Sequence, residues 1–151
     1  MYKRILVPVD GSPTSMAGLR EAVRLAKAQR AKLRLVHVVD ELAVMLNFDG
    51  YYESGDLVGV LRDAGKKLIA EAAAFARKHG VKAETSMIDS VGVRVADAIV
   101  KDAGKWRADL LVIGTHGRRG VTRMVLGSDA EAVLRETRVP VLLVRSRARR
   151  K

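Results

Sequence analysis

Apolar positions along the chain switch repeatedly between two patterns. Residues 3–9, Lys-Arg-Ile-Leu-Val-Pro-Val, form a short, branched, apolar run that predicts a buried strand. Asp10-Gly11-Ser12-Pro13 breaks it, and Ser12-Pro13 marks a helix start: the hydroxyl can cap, and proline suits the first helical position. Residues 14–30 then place Ala17, Leu19, Ala22, Val23, Leu25 and Ala26 at helical spacing. A second strand follows over 32–39. Residues 41–58 have no clean period and carry Asn47, Asp49-Gly50 and Ser54-Gly55, which predicts a long loop with a helical turn. Residues 59–79 read as a long amphipathic helix stopped at His79-Gly80. A third strand is predicted at 81–88, a helix at 92–104 ending on Gly104, and a fourth strand at 108–113 stopping at Gly114. A Gly- and Arg-rich loop fills 114–127, a helix runs from Ser128 to about Thr137, and 139–144, Val-Pro-Val-Leu-Leu-Val, is the last strand.

Strands that alternate with helices must pair in parallel through crossovers, with helices on both faces. The pattern therefore predicts a doubly wound α/β fold: one five-stranded parallel sheet in a single domain, residues 1–145, with a basic tail at 146–151. A length of 151 residues fits one domain with a real core. At 48% hydrophobic and 30% charged residues the composition is that of a globular chain. The absence of cysteine excludes disulfides, thiolate metal sites and cysteine nucleophiles. The first apolar run is too short for a signal peptide or a membrane span, and no later run is long enough. A soluble cytoplasmic protein with no membrane association is the expectation. Charge adds something: 28 Lys+Arg against 17 Asp+Glu give +11 at pH 7, a surface that attracts polyanions. Part of it is the tail from Arg145 to Lys151, which reads first as a solvated, frayed terminus and, as the alternative, as a route to nucleic acid. Aromatics at 4% leave little for stacking single strands.

In an open α/β sheet, ligands sit beyond the carboxyl ends of the strands where the strand order reverses. Asp10, Val38-Val39-Asp40 and Gly114 fall at such ends. The segment from Gly114 to Ser128 supplies bare backbone. Gly114 would let a phosphate approach without a Cβ in the way. Gly117 can turn successive amides toward one point. Gly127-Ser128 opens a helix whose first amides lack intrahelical partners. Arg118, Arg119 and Arg123 supply cations. Other readings compete: turn glycines at 114 and 117, a capping box over Ser128-Asp-Ala-Glu131, and Asp10 as a cap on the entry turn of the first helix. His37 and Trp106 read as packing residues and His79 as a cation at a helix C-terminus. His116 lies inside the loop with no second group placed to orient it as a base.

The chain resembles the universal stress protein family over essentially its whole length. The resemblance rests on Ile5-Leu-Val-Pro-Val-Asp10, Leu35-Val-His-Val-Val39, the G-x2-G-x9-G-[ST] signature at Gly114, Gly117, Gly127 and Ser128, and Val139-Pro-Val-Leu-Leu-Val144. It implies a Rossmann-like fold of the adenine-nucleotide alpha-hydrolase type and the ATP-binding branch of the family. Carried over by position, Pro8, Val9 and Val38 would wall the adenine and Asp10 would face the ribose hydroxyls. Gly114, Thr115, His116, Gly117, Arg118, Arg119 and Gly120 would wrap the phosphates. Gly127, Ser128, Asp129 and Ala130 would hold the terminal phosphates, with Mg²⁺ shared among them and Asp10 as a further candidate metal ligand. The family also implies a homodimer through strand 139–144, in keeping with an apolar sheet edge that tends to pair. Asp129 departs from the pattern, since family members commonly carry an apolar residue there. A carboxylate about 6 Å from a phosphate charge repels it by roughly 3 kcal/mol at an effective dielectric near 20.

The expected function is that of an ATP-binding, homodimeric stress-response regulator with at most slow hydrolysis and no assigned catalytic residue. The alternatives are an enzyme that uses ATP to adenylate or phosphorylate a partner, and a basic nucleic-acid-associated stress protein.

Overall fold

Ile5, Leu6 and Val7 are all fully buried, and they divide between two cores: Ile5 and Val7 join one, Leu6 the other. A strand buried on both faces needs a helical layer on each side. The structure, a computed structural model, describes residues 1–41, 54–115 and 126–146, the side chains of 54–56 excepted. Its strands are β1 (Arg4–Pro8), β2 (Lys32–Val39), β3 (Ala83–Asp89), β4 (Leu110–Thr115) and β5 (Val141–Arg145); its helices are α1 (Pro13–Gln29), α2 (Ser54–Lys78), α3 (Val95–Trp106) and α4 (Ser128–Glu136). The strands form one sheet in the order β3-β2-β1-β4-β5, and every pairing is parallel. Leu19, Val23 and Ala26 of α1 and Ile69, Ala72 and Ala76 of α2 cover one face. Ala96, Ile99 and Ala103 of α3 and Ala130 and Val133 of α4 cover the other. This is the doubly wound sheet that the periodicity predicts.

Where boundaries differ from expectation, backbone hydrogen bonds explain why. Helix α2 begins at Ser54, five residues ahead of the expected 59, so 54–58 are helical; 42–53 lie outside the described residues. Strand β3 starts two residues late because the Val81 amide turns back to the Ala76 carbonyl, 2.9 Å for the neighbouring Gly80-to-Arg77 bond and 3.0 Å for its own, closing α2. Helix α3 starts at Val95 rather than 92, since Gly92 has φ +67°, outside the helical region. It also runs past Gly104 to Trp106, and Arg107 in the left-handed region (φ 55°) is its cap. Strand β4 extends through Gly114 to Thr115. Strand β5 starts at Val141 because Thr137 Oγ1 accepts the Val139 amide and Pro140 has no amide to offer.

The end of the sheet where the strands begin carries a half-buried polar network. Arg34 of β2 donates in a bidentate pair to Asp102 of α3, at 2.9 and 3.0 Å. Glu84 of β3 accepts the Trp106 Nε1 hydrogen at 2.9 Å, and the Arg4 guanidinium lies 4.7 Å above the indole. Its hydrogen bonds to Asp102 hold the Arg34 guanidinium above its usual pKa.

Candidate functional site

The strand order reverses between β1 and β4: the chain leaves β1 toward β2 on one side and later returns to β4 on the other. Loops that depart in opposite directions from adjacent strand ends leave a crevice between them. A cleft of about 220 Å³ opens there. Its apolar walls come from Pro8 and Val9 at the end of β1, Val38 of β2, Val95 and Ile99 of α3, Ile113 of β4 and Val133 of α4. Polar groups gather along the cleft: Asp10, Ser12, Thr14 and Ser15 from the β1–α1 turn, His37 and Asp40 from β2 and its end, and Asp129 at the start of α4.

Three helix N-termini border the cleft: α3 reaches it with its first residue, Val95, and those of α1 and α4 differ. Helix α1 is capped from within. Ser12 Oγ accepts the Ser15 amide at 3.1 Å, and Pro13 has no amide to expose. Asp10 Oδ1 accepts the Ser12 amide at 2.8 Å, fixing the turn that leads into the helix. Asp10 therefore combines the entry-turn role with a place on the cleft wall. Helix α4 has Gly127 as its cap residue, and no side chain caps it. Ser128 is its first residue, so the capping box over 128–131 does not form; Glu131 pairs instead with Arg135 at 2.8 Å. The first amides of α4 and its positive dipole end stand beside the cleft.

Gly114 needs its missing Cβ for a reason other than the expected one. A Cβ built there would lie 1.9 Å from the Thr14 carbonyl oxygen. A Cβ on Gly18 of α1 would stand 3.1 Å from the Gly114 amide nitrogen. Helix α1 thus lies against β4 backbone to backbone, and the glycine serves that approach. Close packing here brings the first turn of α1 to the cleft. His37 is held by its Nδ1, 2.8 Å from the Val9 carbonyl, and its ring lies against Gly65 of α2, where a Cβ would be 2.7 Å from Cδ2. The imidazole is a packed, hydrogen-bonded group, as expected, and also part of the cleft wall.

Of the residues expected at the site, Pro8, Val9, Asp10, Val38, Gly114, Asp129 and Ala130 line the cleft. Gly127 and Ser128 immediately precede the last two along α4. Thr115 is buried, and its Oγ1 donates to the Val144 carbonyl at 3.3 Å, so its side chain faces β5. His116, Gly117, Arg118, Arg119, Gly120 and Arg123 lie outside the described residues, as do 147–151 of the tail. Among the described residues no group of three or more His, Asp or Glu is placed to hold a metal ion, and no helix is long and apolar enough to cross a membrane. The sequence places Asp40 at a ligand-facing strand end without assigning it a role, and does not mark His37 or the apolar trio Val95, Ile99 and Val133 as cleft wall. The trio carries no signal, because cleft wall and core read alike in a helical apolar pattern.

Comparison with known proteins bears on what this arrangement is. A sequence model described as the universal stress protein family matches residues 1–145. A universal stress protein of Methanocaldococcus jannaschii is 36% identical over 146 residues, covering 96% of this chain and 83% of that protein. The crystal structure of a universal stress protein family member from Burkholderia pseudomallei is 33% identical, with a TM-score of 0.76 over 95% of this chain and 96% of that one. A universal stress protein solved in complex with cAMP is 25% identical, with a TM-score of 0.67 over 96% of this chain and 98% of that one. The match runs from the first strand to the last and includes both elements that frame the cleft: the chain belongs to the universal stress protein family.

Proposed function

We propose that the cleft binds an adenine nucleotide, ATP accompanied by Mg²⁺, and that the protein is a cytosolic homodimeric regulator with at most slow turnover of the nucleotide. One observation carries this reading: the cleft is apolar on its walls and ends at the N-terminus of α4, whose cap residue, Gly127, offers no side chain. A planar base suits the walls of Pro8, Val9 and Val38, and a phosphate suits the first turn of a helix with its positive dipole end. The related protein in complex with cAMP supports the adenine nucleotide. In this reading Asp10 faces the ribose. The segment from Gly114 to Gly120 wraps the phosphates, and the amides of Gly127 to Ala130 hold the terminal ones. Mg²⁺ suits a site with few carboxylates, because it is commonly held by one or two of them together with phosphate oxygens; Asp10 is the candidate. Slow turnover is part of the proposal: Asp10 fixes the entry turn by accepting the Ser12 amide, and His37 is held in the wall with its Nδ1 2.8 Å from the Val9 carbonyl. The homodimer would form through β5, which pairs with β4 on one side and is the last strand of the sheet.

Titration calorimetry with ATP and Mg²⁺ tests the binding, and Gly127→Asp tests its place. An aspartate at the cap accepts the α4 amides and adds a negative charge there. The expected outcome is a protein as stable as the parent or more stable by a few tenths of a kcal/mol, with nucleotide affinity at least about tenfold lower, the equivalent of 1.4 kcal/mol. Unchanged affinity in this variant, or no binding by the parent at millimolar ATP, contradicts the proposal.

A further inference from the structure

Six exposed cations gather at one end of the molecule. On the flanks several cations are paired, Arg24 with Glu21, Arg62 with Glu41 and Asp89, Lys66 with Asp63, Arg94 with Asp97 and Glu136, and Arg135 with Glu131, while Arg20, Lys67 and Lys101 on the helices have no ion pair among the described residues. The denser group lies at the end where the strands begin. Lys3, Lys27, Arg30, Lys32, Lys78 and Lys82 are all exposed, and among the described residues none lies within ion-pair distance of a carboxylate.

Topology places these six together. The Lys32 amide donates to the Lys3 carbonyl at 2.9 Å. The register Leu33↔Ala83 sets Lys32 level with Lys82 across the next strand. Adjacent strands are about 4.8 Å apart, so the three strand starts form a row roughly 10 Å long. Lys27 and Arg30 end α1 and Lys78 ends α2. The Lys27 Nζ stands 3.8 Å from where a Cβ on Gly80 would be, so the two helix ends meet beside the row. Both helix ends are closed by backbone hydrogen bonds: the Ala31 amide returns to Ala26 at 2.9 Å and the Val81 amide to Ala76 at 3.0 Å. Carboxylates at this end are engaged, and Glu84, with its side chain half-exposed, accepts the Trp106 Nε1 hydrogen and pairs with Arg34. Asp109 accepts the Lys3 and Arg4 amides at 2.8 and 2.9 Å, and Asp102 holds Arg34.

Helix C-termini favour cations, which accounts for Lys27, Arg30 and Lys78. It does not account for Lys3, Lys32 and Lys82, which sit on strand starts where the net dipole is small. We propose that this end of the molecule is a docking surface for the phosphate backbone of double-stranded nucleic acid, bound without regard to sequence. Duplex DNA carries a phosphate charge every 1.7 Å or so along its axis, enough to meet several of these cations at once. Among the described residues no helix or ribbon projects from this surface to enter a groove, so base readout is not expected. A bilayer fits less well. Interfacial binders bury a broad apolar face, and the exposed large apolar side chains beside these cations are Met1 and Tyr2. The surface lies at the opposite end of the strands from the cleft, so the proposal is independent of nucleotide binding.

Fluorescence anisotropy with a labelled duplex of about 24 base pairs, between about 50 and 200 mM KCl, tests it. The full-length protein is expected to bind with micromolar affinity at the lower salt and to lose it steeply as salt rises. Lys27→Gln/Lys32→Gln/Lys82→Gln should lower the slope of log K against log salt by about 3. The same three positions changed to Glu should weaken binding at least about tenfold with the thermal melt unchanged. Removing residues 146–151 should cost less than either triple variant. Three results overturn the proposal: no duplex binding at the lower salt, parent-like binding by both triple variants with loss on removal of the tail, or capture by phosphatidylserine vesicles in place of the duplex.

Discussion

At Gly114 a carbonyl oxygen occupies the place of a side chain. The 1.9 Å separation between a built Cβ and Thr14 O is far inside van der Waals contact, and both partners are backbone, so neither can rotate away. Gly114→Ala is expected to cost about 3 kcal/mol, the upper range for overpacking, and to lower the melting temperature by roughly 8 °C for a chain of this size. A thermal melt checks it; a loss under about 1 kcal/mol would show that α1 does not press on β4 as described. The same residue shows what a sequence can and cannot disclose. A glycine after a buried strand marks a close approach, but the chain alone does not say what approaches, and the partner turned out to be Thr14 of a helix some hundred positions earlier. Asp129 is the opposite case. Its charge and position at the start of α4 are legible directly, and it lines the cleft. In the proposed reading it faces the terminal phosphates. Asp129→Asn should therefore strengthen ATP binding by about five- to tenfold more than AMP binding, a gain reduced by solvent screening of an exposed carboxylate. Equal gains for both nucleotides, measured by calorimetry, would move the phosphates elsewhere.

Elements follow from local signals more faithfully than their ends do. Ser12 and Pro13 start α1 where the sequence places it, because the cap is a side-chain-to-backbone bond between near neighbours. The ends of α1 and α3 are set by Arg30 and Arg107 in the left-handed region, φ 54° and 55°, with no glycine to announce them. Arginine in that conformation costs roughly 1 kcal/mol or more, which tertiary packing offsets. Packing between elements has its own long-range anchor, the bidentate pair from Arg34 of β2 to Asp102 of α3. Removing one member of a buried pair leaves the other charge unmatched. Asp102→Ala is expected to destabilise the protein by about 3 kcal/mol, as read by urea unfolding. Helices α3 and α4 are joined by Arg94, which binds Asp97 and Glu136. The Arg94 hydrogen bond, followed by Glu136, holds the Asp97 carboxyl below its ordinary 3.8. A depressed folded pKa gives stability that is present above the unfolded value and lost as pH falls through the folded one. The stability gap between the parent and Arg94→Ala should thus be full above about pH 5 and close progressively below about pH 4. A gap that stays constant to pH 2 would mean that the ion pair contributes nothing.

Over the whole molecule the charge is polarised. Asp10, Asp40, Glu41, Asp89 and Asp129 stand at the end where strands finish or just beyond it, and Lys3, Lys27, Lys32, Lys78 and Lys82 at the end where they begin. The total of +11 is legible in composition, but its sidedness is not, because Lys3, Lys32 and Lys82 become neighbours only through strand register. The sheet order is likewise a product of packing: periodicity yields five strands and their parallel pairing, and the position of β1 at the centre fixes the crevice. For assembly the matching feature is the side of β5 away from β4, with which no strand pairs among the described residues. Light scattering is expected to give twice the 16.5 kDa chain mass. Leu143→Pro, which removes an amide that the parallel register with β4 points outward, should give the single-chain mass with the fold retained.

Amide chemical shifts report the nucleotide's location directly. On titration with ATP and Mg²⁺, the account predicts large shifts at Val9, Asp10, Val38 and the first amides of α4, Ser128 to Ala130, while Lys3, Lys32 and Lys82 at the far end stay in place. Shifts confined to that far end, or amides of α4 that do not respond to saturating nucleotide, would contradict it.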